Sequence, residues 1–143
     1  MKVEPINVAV VGCGVISDVY MRSLQDKFQI TNLVACCDLD ESRMQDKARQ
    51  YGIRPMRFAQ MLEDEQIDMI VNLTNPSAHF QISKQALEHG KHVFSEKMLA
   101  VELEGGKALC DLARAHRVRL GVAPDTFLGG GMQTARYVIE QGL

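Results

Sequence analysis

The chain has 143 residues, 46% of them hydrophobic and 24% charged, which is enough for one folded domain with a sizeable core. A formal net charge of −2 gives no electrostatic reason to expect nucleic acid or an anionic membrane as a partner. There is no apolar run near the roughly 20 residues that span a bilayer and no signal-peptide pattern. The four cysteines and four histidines show neither C-x-x-C nor metal-ligand spacing. We therefore expect a cytoplasmic protein with buried thiols and no metal.

Short apolar strands alternate with amphipathic helices along the whole chain. Predicted strands lie at residues 6–11, 30–37, 53–58, 67–73, 91–94 and 118–122. Predicted helices lie at residues 15–27, 40–51, 76–90, 100–116 and 130–141. This alternation predicts a Rossmann-type, doubly wound α/β fold: a mostly parallel six-stranded sheet with helices on both faces. Because ligands of such sheets bind at the carboxyl ends of the strands, the residues just after each strand are the candidates for function.

The first predicted strand is followed by the hexapeptide Gly12-Cys13-Gly14-Val15-Ile16-Ser17, which has the pattern G-x-G-x-x-S. Gly12 permits a tight turn, and Gly14 lets a pyrophosphate approach the backbone. The amides that open the next helix would face the phosphates, aided by the helix dipole. Ser17 stands where a third glycine is usual and is small enough for helix–strand packing. The pattern predicts a dinucleotide site, with a plain tight turn as the alternative.

Asp38 ends the second predicted strand, 24 residues after Gly14. A carboxylate at this position can accept hydrogen bonds from the adenosine ribose hydroxyls. The alternatives are a helix N-cap, for which Asp40 is the better candidate, and a solvated loop carboxylate. The next residue is Leu39, which offers no charge to a 2′-phosphate, and Asp38 would repel that group. The sequence therefore favours NAD over NADP as cofactor.

Two further strands end in polar residues. Thr74 and Asn75 follow the fourth strand and would either cap the next helix or contact the cofactor. His79 lies one turn further on, either as a structural histidine or as a cofactor contact. Glu96 and Lys97 follow the fifth strand. Lys97 would either carry a proton in catalysis or form an ordinary exposed salt bridge.

The strings GCGVIS, TNPSAH and HVFSEKMLA, together with Asp38, resemble the N-terminal domain of the glucose–fructose oxidoreductase, inositol dehydrogenase and rhizopine-catabolism family (Gfo/Idh/MocA). The resemblance covers essentially the whole chain, although Met98 stands where the family typically has proline. The segment GVAPDTFLGGGMQTARYVIEQGL resembles the family's sixth strand, linker and following helix. The resemblance implies a dinucleotide-binding domain at residues 1–123. It also implies that residues 124–143 lead to a second α/β domain, absent here, that supplies the substrate pocket.

By the same resemblance, Lys97 corresponds to the family's catalytic-site lysine, and Glu96 and Lys97 lie near the nicotinamide ribose. We expect the cofactor domain of an NAD-dependent oxidoreductase that acts on a sugar, polyol or related small alcohol and is a homo-oligomer when intact. This chain alone would bind NAD without turnover. The alternative is a non-catalytic dinucleotide-binding sensor or regulatory module. The predicted cofactor contacts are Gly12, Cys13, Gly14, Val15, Ile16, Asp38, Thr74, Asn75, His79, Glu96 and Lys97.

Overall fold

The computed structural model describes residues 4–124 and 126–142, so the predicted domain limits at residues 1 and 143 lie outside the described residues. The strands are β1 (Ile6–Val11), β2 (Thr31–Cys37), β3 (Arg54–Pro55), β4 (Met69–Asn72), β5 (His92–Ser95) and β6 (Leu120–Val122). They form one six-stranded sheet in the order β3-β2-β1-β4-β5-β6. Every neighbouring pair is parallel. The predicted Rossmann-type α/β fold is confirmed.

The helices are α1 (Ser17–Asp26), α2 (Glu41–Tyr51), α3 (Phe58–Glu63), α4 (Pro76–Glu88), α5 (Leu103–Ala115) and α6 (Gly130–Glu140). Asp40 caps α2 as predicted, because its side chain accepts a hydrogen bond from the Arg43 amide at 3.1 Å. Gly52, with a φ of +65°, ends the same helix. None of the helices in the described ranges is long and apolar enough to cross a membrane.

The predicted strand at residues 53–58 is wrong in its second half. Pairing is limited to Arg54–Pro55 at the edge of the sheet, where proline costs no ladder hydrogen bond. Phe58 instead begins α3, whose first turn is fixed when the Gln60 side chain accepts a hydrogen bond from the Arg57 amide at 3.0 Å. The apolar residues of this stretch follow a helical period over too short a length to be distinguished from a strand.

Alternating residues of β1 divide the core between the two faces of the sheet. Val8 and Val10 pack on one face with residues of α1 and α2, and Ala9 and Val11 pack on the other with residues of α3, α4 and α5. Cys36 and Cys37 point to opposite faces in the same way. Cys110 is exposed, so the expectation of buried thiols holds for the other three cysteines only.

Helix α6 has no buried residue. Met132, Tyr137 and Ile139 are 56%, 60% and 76% exposed, so the helix carries apolar side chains that no other described part of the chain covers.

Candidate dinucleotide-binding site

A groove of about 240 Å³ lies at the carboxyl ends of β1, β2 and β4. The strand order reverses between β1 and β4, which is where ligands bind in sheets of this type. Five of the predicted site residues line the groove: Gly12, Gly14, Asp38, Thr74 and Asn75. The structure therefore brings together residues from the ends of three separate strands, as the sequence predicts.

The backbone geometry at residue 12 requires glycine. Its φ is +100°, and a Cβ atom at this position would lie 2.6 Å from both the carbonyl carbon and the carbonyl oxygen of Leu73. Its amide donates to the Cys37 carbonyl at 2.8 Å. Glycine is needed here because the loop after β1 packs directly on the backbone that follows β4.

Gly14 lies beside open space, since a Cβ at this position would meet nothing within 4 Å. In the described part of the chain, the backbone amides of Gly14, Val15 and Ile16 have no hydrogen-bond acceptor. The Ser17 hydroxyl donates to the Gly14 carbonyl at 2.6 Å and holds the turn, so α1 starts at Ser17 and not at residue 15. Free amides beside open space at a helix start fit the diphosphate of a dinucleotide.

Asp38 is held at the end of β2 by two backbone amides. Its Oδ2 accepts from the Cys13 amide at 2.7 Å, and its Oδ1 accepts from the Asp40 amide at 2.8 Å. The Cys13 thiol is buried. Neither the amide nor the thiol of Cys13 is therefore free for a phosphate. In the structure Cys13 positions Asp38, whereas the sequence predicts that Cys13 contacts the cofactor directly.

Asn72 organises the loop after β4 and was not among the predicted site residues. This buried side chain donates to the His79 carbonyl and to Ser83 Oγ, both at 3.0 Å. Its Oδ1 accepts from the Thr74 hydroxyl at 2.6 Å. Asn75 is the N-cap residue of α4, but its side chain makes no capping bond and lines the groove instead. The signal that could have found Asn72 is a polar residue at the end of an apolar strand.

His79 is 1% exposed. Its Nδ1 lies 2.6 Å from the Met98 carbonyl oxygen and its Nε2 lies 2.8 Å from the Thr74 carbonyl oxygen. The ring therefore links the loop after β4 to the loop after β5 from beneath the surface. This geometry agrees with the structural alternative for His79 and gives it no open face for a cofactor.

Glu96 and Lys97 lie one strand beyond the groove, at the end of β5. Glu96 Oε1 accepts from the Tyr20 hydroxyl at 2.6 Å, and Oε2 accepts from the Lys97 amide at 3.0 Å. Burial alone raises the pKa of Glu96, but these two hydrogen bonds and the nearby Lys97 and His79 together hold that pKa below its ordinary value of 4.5. Glu96 is therefore a fixed, ionised carboxylate at neutral pH.

The Lys97 side chain is 67% exposed, and its Nζ lies 3.9 Å from Glu96 Oε2. The Lys97–Met98 peptide bond is cis, although residue 98 is not proline. An exposed, loosely paired ammonium at a strand end is compatible with either predicted alternative, a proton carrier or a surface salt bridge.

The sequence did not identify two further residues at the site, Tyr20 and Arg43. Tyr20 contacts Glu96 across 76 positions of sequence, and no local spacing signals such a contact. Arg43 lies on the first turn of α2, with one guanidinium nitrogen 3.7 Å from Asp38 Oδ2. The sequence does contain a signal for Arg43. A helix that begins at residue 40 places Arg43 on its first turn, and that turn lies close to the carboxylate of Asp38.

Comparison with known proteins agrees with this geometry. The profile of the Gfo/Idh/MocA family, described as an oxidoreductase family with an NAD-binding Rossmann fold, matches residues 6–123. An uncharacterized oxidoreductase of Schizosaccharomyces pombe is 32% identical over 145 residues, covering 96% of this chain and 39% of the relative. Inositol 2-dehydrogenase of Burkholderia ambifaria is 27% identical, covering 96% of this chain and 42% of that protein. The chain thus spans about two-fifths of the length of these relatives.

Solved structures of other proteins share the fold of this chain. The WlbA dehydrogenase from Bordetella pertussis, in complex with NADH and UDP-GlcNAcA, superposes with a TM-score of 0.91 at 28% identity, covering 99% of this chain and 41% of that one. Biliverdin reductase from Synechocystis, in complex with biliverdin and NADP+, has a TM-score of 0.87 at 29% identity, covering 95% of this chain and 43% of that one. The fold, the groove and the profile match together show that this chain belongs to the Gfo/Idh/MocA oxidoreductase family, as an NAD-binding Rossmann-fold domain.

Proposed function

We propose that this chain binds NAD in the groove at the ends of β1, β2 and β4. We further propose that it serves as the cofactor-binding part of an oxidoreductase acting on a sugar, polyol or related small alcohol. One observation carries the proposal: three successive backbone amides, at Gly14 to Ile16, have no acceptor in the described part of the chain, and Gly14 lies beside open space and lines the same groove as Asp38. Donors for a diphosphate and an acceptor for a ribose are the pair of groups that a dinucleotide requires.

Asp38 has capacity left for a ribose. A carboxylate oxygen has two acceptor positions, and each oxygen of Asp38 accepts one backbone amide. The two amides fix the carboxylate without saturating it. A 2′-phosphate would meet this fixed negative charge, which supports a preference for NAD over NADP.

At the other end of the cofactor, the resemblance assigns Glu96 and Lys97 to the nicotinamide ribose. The bound nicotinamide supplies the hydride acceptor or donor. Lys97 Nζ is the group that accepts or returns the hydroxyl proton of the substrate, and Glu96 holds the Lys97 backbone through its amide. The substrate class rests on relatives named for inositol and for a D-glucoside, the latter 31% identical over 121 residues.

The chain covers about two-fifths of the length of each relative. This coverage supports a separation of cofactor binding and substrate binding between two domains. Residues 1–123 form the cofactor domain, and residues 124–143, which include α6, lead to a domain that supplies the substrate pocket. The exposed apolar side chains of α6 are available for such a domain or for a second copy in a homo-oligomer.

A turnover screen tests the oxidoreductase proposal. Polyols and sugars are supplied with NAD to this chain and to a longer form that carries a substrate domain, and NADH formation is measured. We expect both proteins to bind NAD and only the longer form to produce NADH. Binding without turnover by the longer form over the whole panel would favour a sensor or regulatory module instead.

A further inference from the structure

The buried ring of His79 lies between two backbone carbonyl oxygens. Its Nδ1 is 2.6 Å from the Met98 oxygen, and its Nε2 is 2.8 Å from the Thr74 oxygen. A carbonyl oxygen only accepts hydrogen bonds, whereas a neutral imidazole donates from one ring nitrogen and presents a lone pair at the other. A neutral ring would therefore turn that lone pair against a carbonyl oxygen at hydrogen-bond distance.

Turning the His79 ring over does not remove this conflict. The flipped ring would place Cδ2 and Cε1 where the two nitrogens now lie. Each carbon would then approach a carbonyl oxygen at about the same short distance, well inside the roughly 3.3–3.6 Å of a C–H···O contact. The imidazolium form, which carries a proton on each nitrogen, is the form that satisfies both carbonyl oxygens.

A buried cation needs compensation, and Glu96 supplies it. This ionised carboxylate at the end of β5 interacts electrostatically with His79 and with Lys97, whose Nζ lies 3.9 Å from Glu96 Oε2. Asn72 and Ser83, which are hydrogen-bonded to each other beside the same part of α4, carry no charge. The positive end of the α4 dipole opposes a cation on its first turn. Two charge-assisted hydrogen bonds and the Glu96 carboxylate offset that effect.

The two acceptors of His79 belong to the two ends of the proposed site. Thr74 lines the groove, and both its amide and its hydroxyl donate to Asn72 Oδ1. Met98 directly follows Lys97 in the loop after β5. One ring therefore fixes the loop that borders the groove relative to the loop that carries the proposed proton carrier.

We propose that His79 is a positioning residue in its imidazolium form and that its second ring proton holds these two loops together. Loss of that proton leaves one donor for two acceptors, so one loop is released. Cofactor binding and the placement of Lys97 then depend on a buried group that contacts neither the cofactor nor the substrate. The protonation state is independent of the proposed function, whereas its effect on the cofactor rests on the proposed dinucleotide site.

Long-range ¹H–¹⁵N correlation spectra of this chain without cofactor test the protonation state. At a mildly acid pH at which the chain is folded, we expect both ring N–H protons of His79 to be observed directly. Burial and hydrogen bonding should slow their exchange with water. The exposed ring of His116 is the internal control and should show no slowly exchanging N–H proton.

A pH titration followed in the same spectra tests the link between the loops. The backbone amides of Asn75 and Leu99 report on the two acceptors, because their peptide bonds contain the Thr74 and Met98 carbonyl groups. If His79 loses a ring proton as the pH rises, the signal of Asn75 or of Leu99 should move with the same midpoint. Retention of both ring protons over the whole range in which the chain is folded would also support the proposal.

Two substitutions each keep one of the two hydrogen bonds. His79→Asn places an amide nitrogen near the position of Nδ1 and keeps the bond to Met98, whereas His79→Gln places one near Nε2 and keeps the bond to Thr74. By calorimetry, we expect His79→Asn to weaken NAD binding by about 10-fold, the scale of one lost hydrogen bond in the groove loop. His79→Gln should move the Leu99 signal and change NAD affinity by less than about 3-fold. His116→Gln is the matched control and should change neither.

Four results would overturn the role of His79. They are an unprotonated ring nitrogen at every pH at which the chain is folded, loss of a ring proton without movement of either amide signal, equal effects of His79→Asn and His79→Gln on both signals, and wild-type NAD affinity in His79→Asn. If the wild type bound no NAD, the proposed dinucleotide site would be contradicted, while the spectra would still decide the protonation state.

Discussion

The Tyr20 hydroxyl donates a hydrogen bond to Glu96 Oε1 at 2.6 Å and so joins α1, which follows the glycine loop, to the carboxyl end of β5. The proposed phosphate-binding and proton-transfer ends of the site are thereby connected through one side-chain pair. The same bond is among the causes that lower the pKa of Glu96.

Tyr20→Phe should raise the pKa of Glu96 toward its ordinary value of 4.5 and destabilise the fold. The loss at neutral pH should be about 1 kcal/mol, typical of one hydrogen bond. Because the folded-state pKa is depressed, the stabilisation by ionised Glu96 is present above 4.5 and lost as the pH falls through the folded-state value. The difference between variant and wild type should therefore be smaller at an acid pH below the folded-state pKa of Glu96 than at neutral pH.

Urea unfolding at both pH values measures this effect. Tyr137→Phe is the control, since Tyr137 lies exposed on α6 and should change stability at neither pH. A Tyr20→Phe difference that stays the same from neutral to acid pH would show that Glu96 is not its cause.

Gly12→Ala should destabilise the chain by more than about 2 kcal/mol. The variant combines a positive φ with a Cβ atom 2.6 Å from the Leu73 carbonyl group. Gly52→Ala separates the two effects, because Gly52 has a φ of +65° but open space around its Cβ position. It should cost only about 1 kcal/mol. Equal losses in urea unfolding would mean that the close approach to Leu73 contributes nothing.

Asp38→Ala should weaken NAD binding by about 1–3 kcal/mol, the scale of leaving a hydrogen-bonding site unmade. It should also lower stability, because the Cys13 and Asp40 amides lose their acceptor. Asp40→Ala is the control, since it removes the α2 cap at about 1 kcal/mol of stability but should keep near wild-type NAD affinity. Calorimetry and thermal unfolding on both variants separate binding from folding. Wild-type affinity in Asp38→Ala would rule out the ribose role.

Lys97→Met should lower turnover of a longer, active form of the protein by about 10²–10⁴-fold, as expected for a general acid–base group. NAD affinity of the present chain should change far less than turnover, because the largely exposed Lys97 side chain would be at most one of several groups that hold the cofactor. Lys84→Met, at a half-buried lysine paired with Glu88 on α4, is the control and should leave turnover unchanged. Near-normal turnover by Lys97→Met would support the surface salt bridge instead.

The sequence predicts the sheet and the glycine loop well because both depend on local patterns. Apolar runs define β1, β2 and β4, and the positive φ in the turn after β1 favours glycine at residue 12. The spacing also predicts that Asp38 and Thr74 meet at one edge of the sheet, because parallel strands end together.

The side-chain partners could not be predicted in the same way. Whether His79 faces the groove or the interior depends on the Met98 carbonyl, 19 residues further along the chain. The Tyr20–Glu96 contact joins elements whose relative position only the folded sheet determines. Leu39 suggested that no cation stands near the ribose site, but the first turn of α2 brings Arg43 back to Asp38.

The most direct test of the dinucleotide site is NAD binding by Gly14→Ala. In the free chain the added Cβ has room, so the variant should fold normally, yet it occupies space beside the amides of Gly14 to Ile16 that a diphosphate would approach. Gly106→Ala, also at a glycine with open space but within α5, is the matched control. By calorimetry, we expect Gly14→Ala to bind NAD at least about 10-fold more weakly than the wild type, with unchanged thermal stability, and Gly106→Ala to bind normally. Wild-type NAD affinity in a folded Gly14→Ala variant would contradict the proposed site.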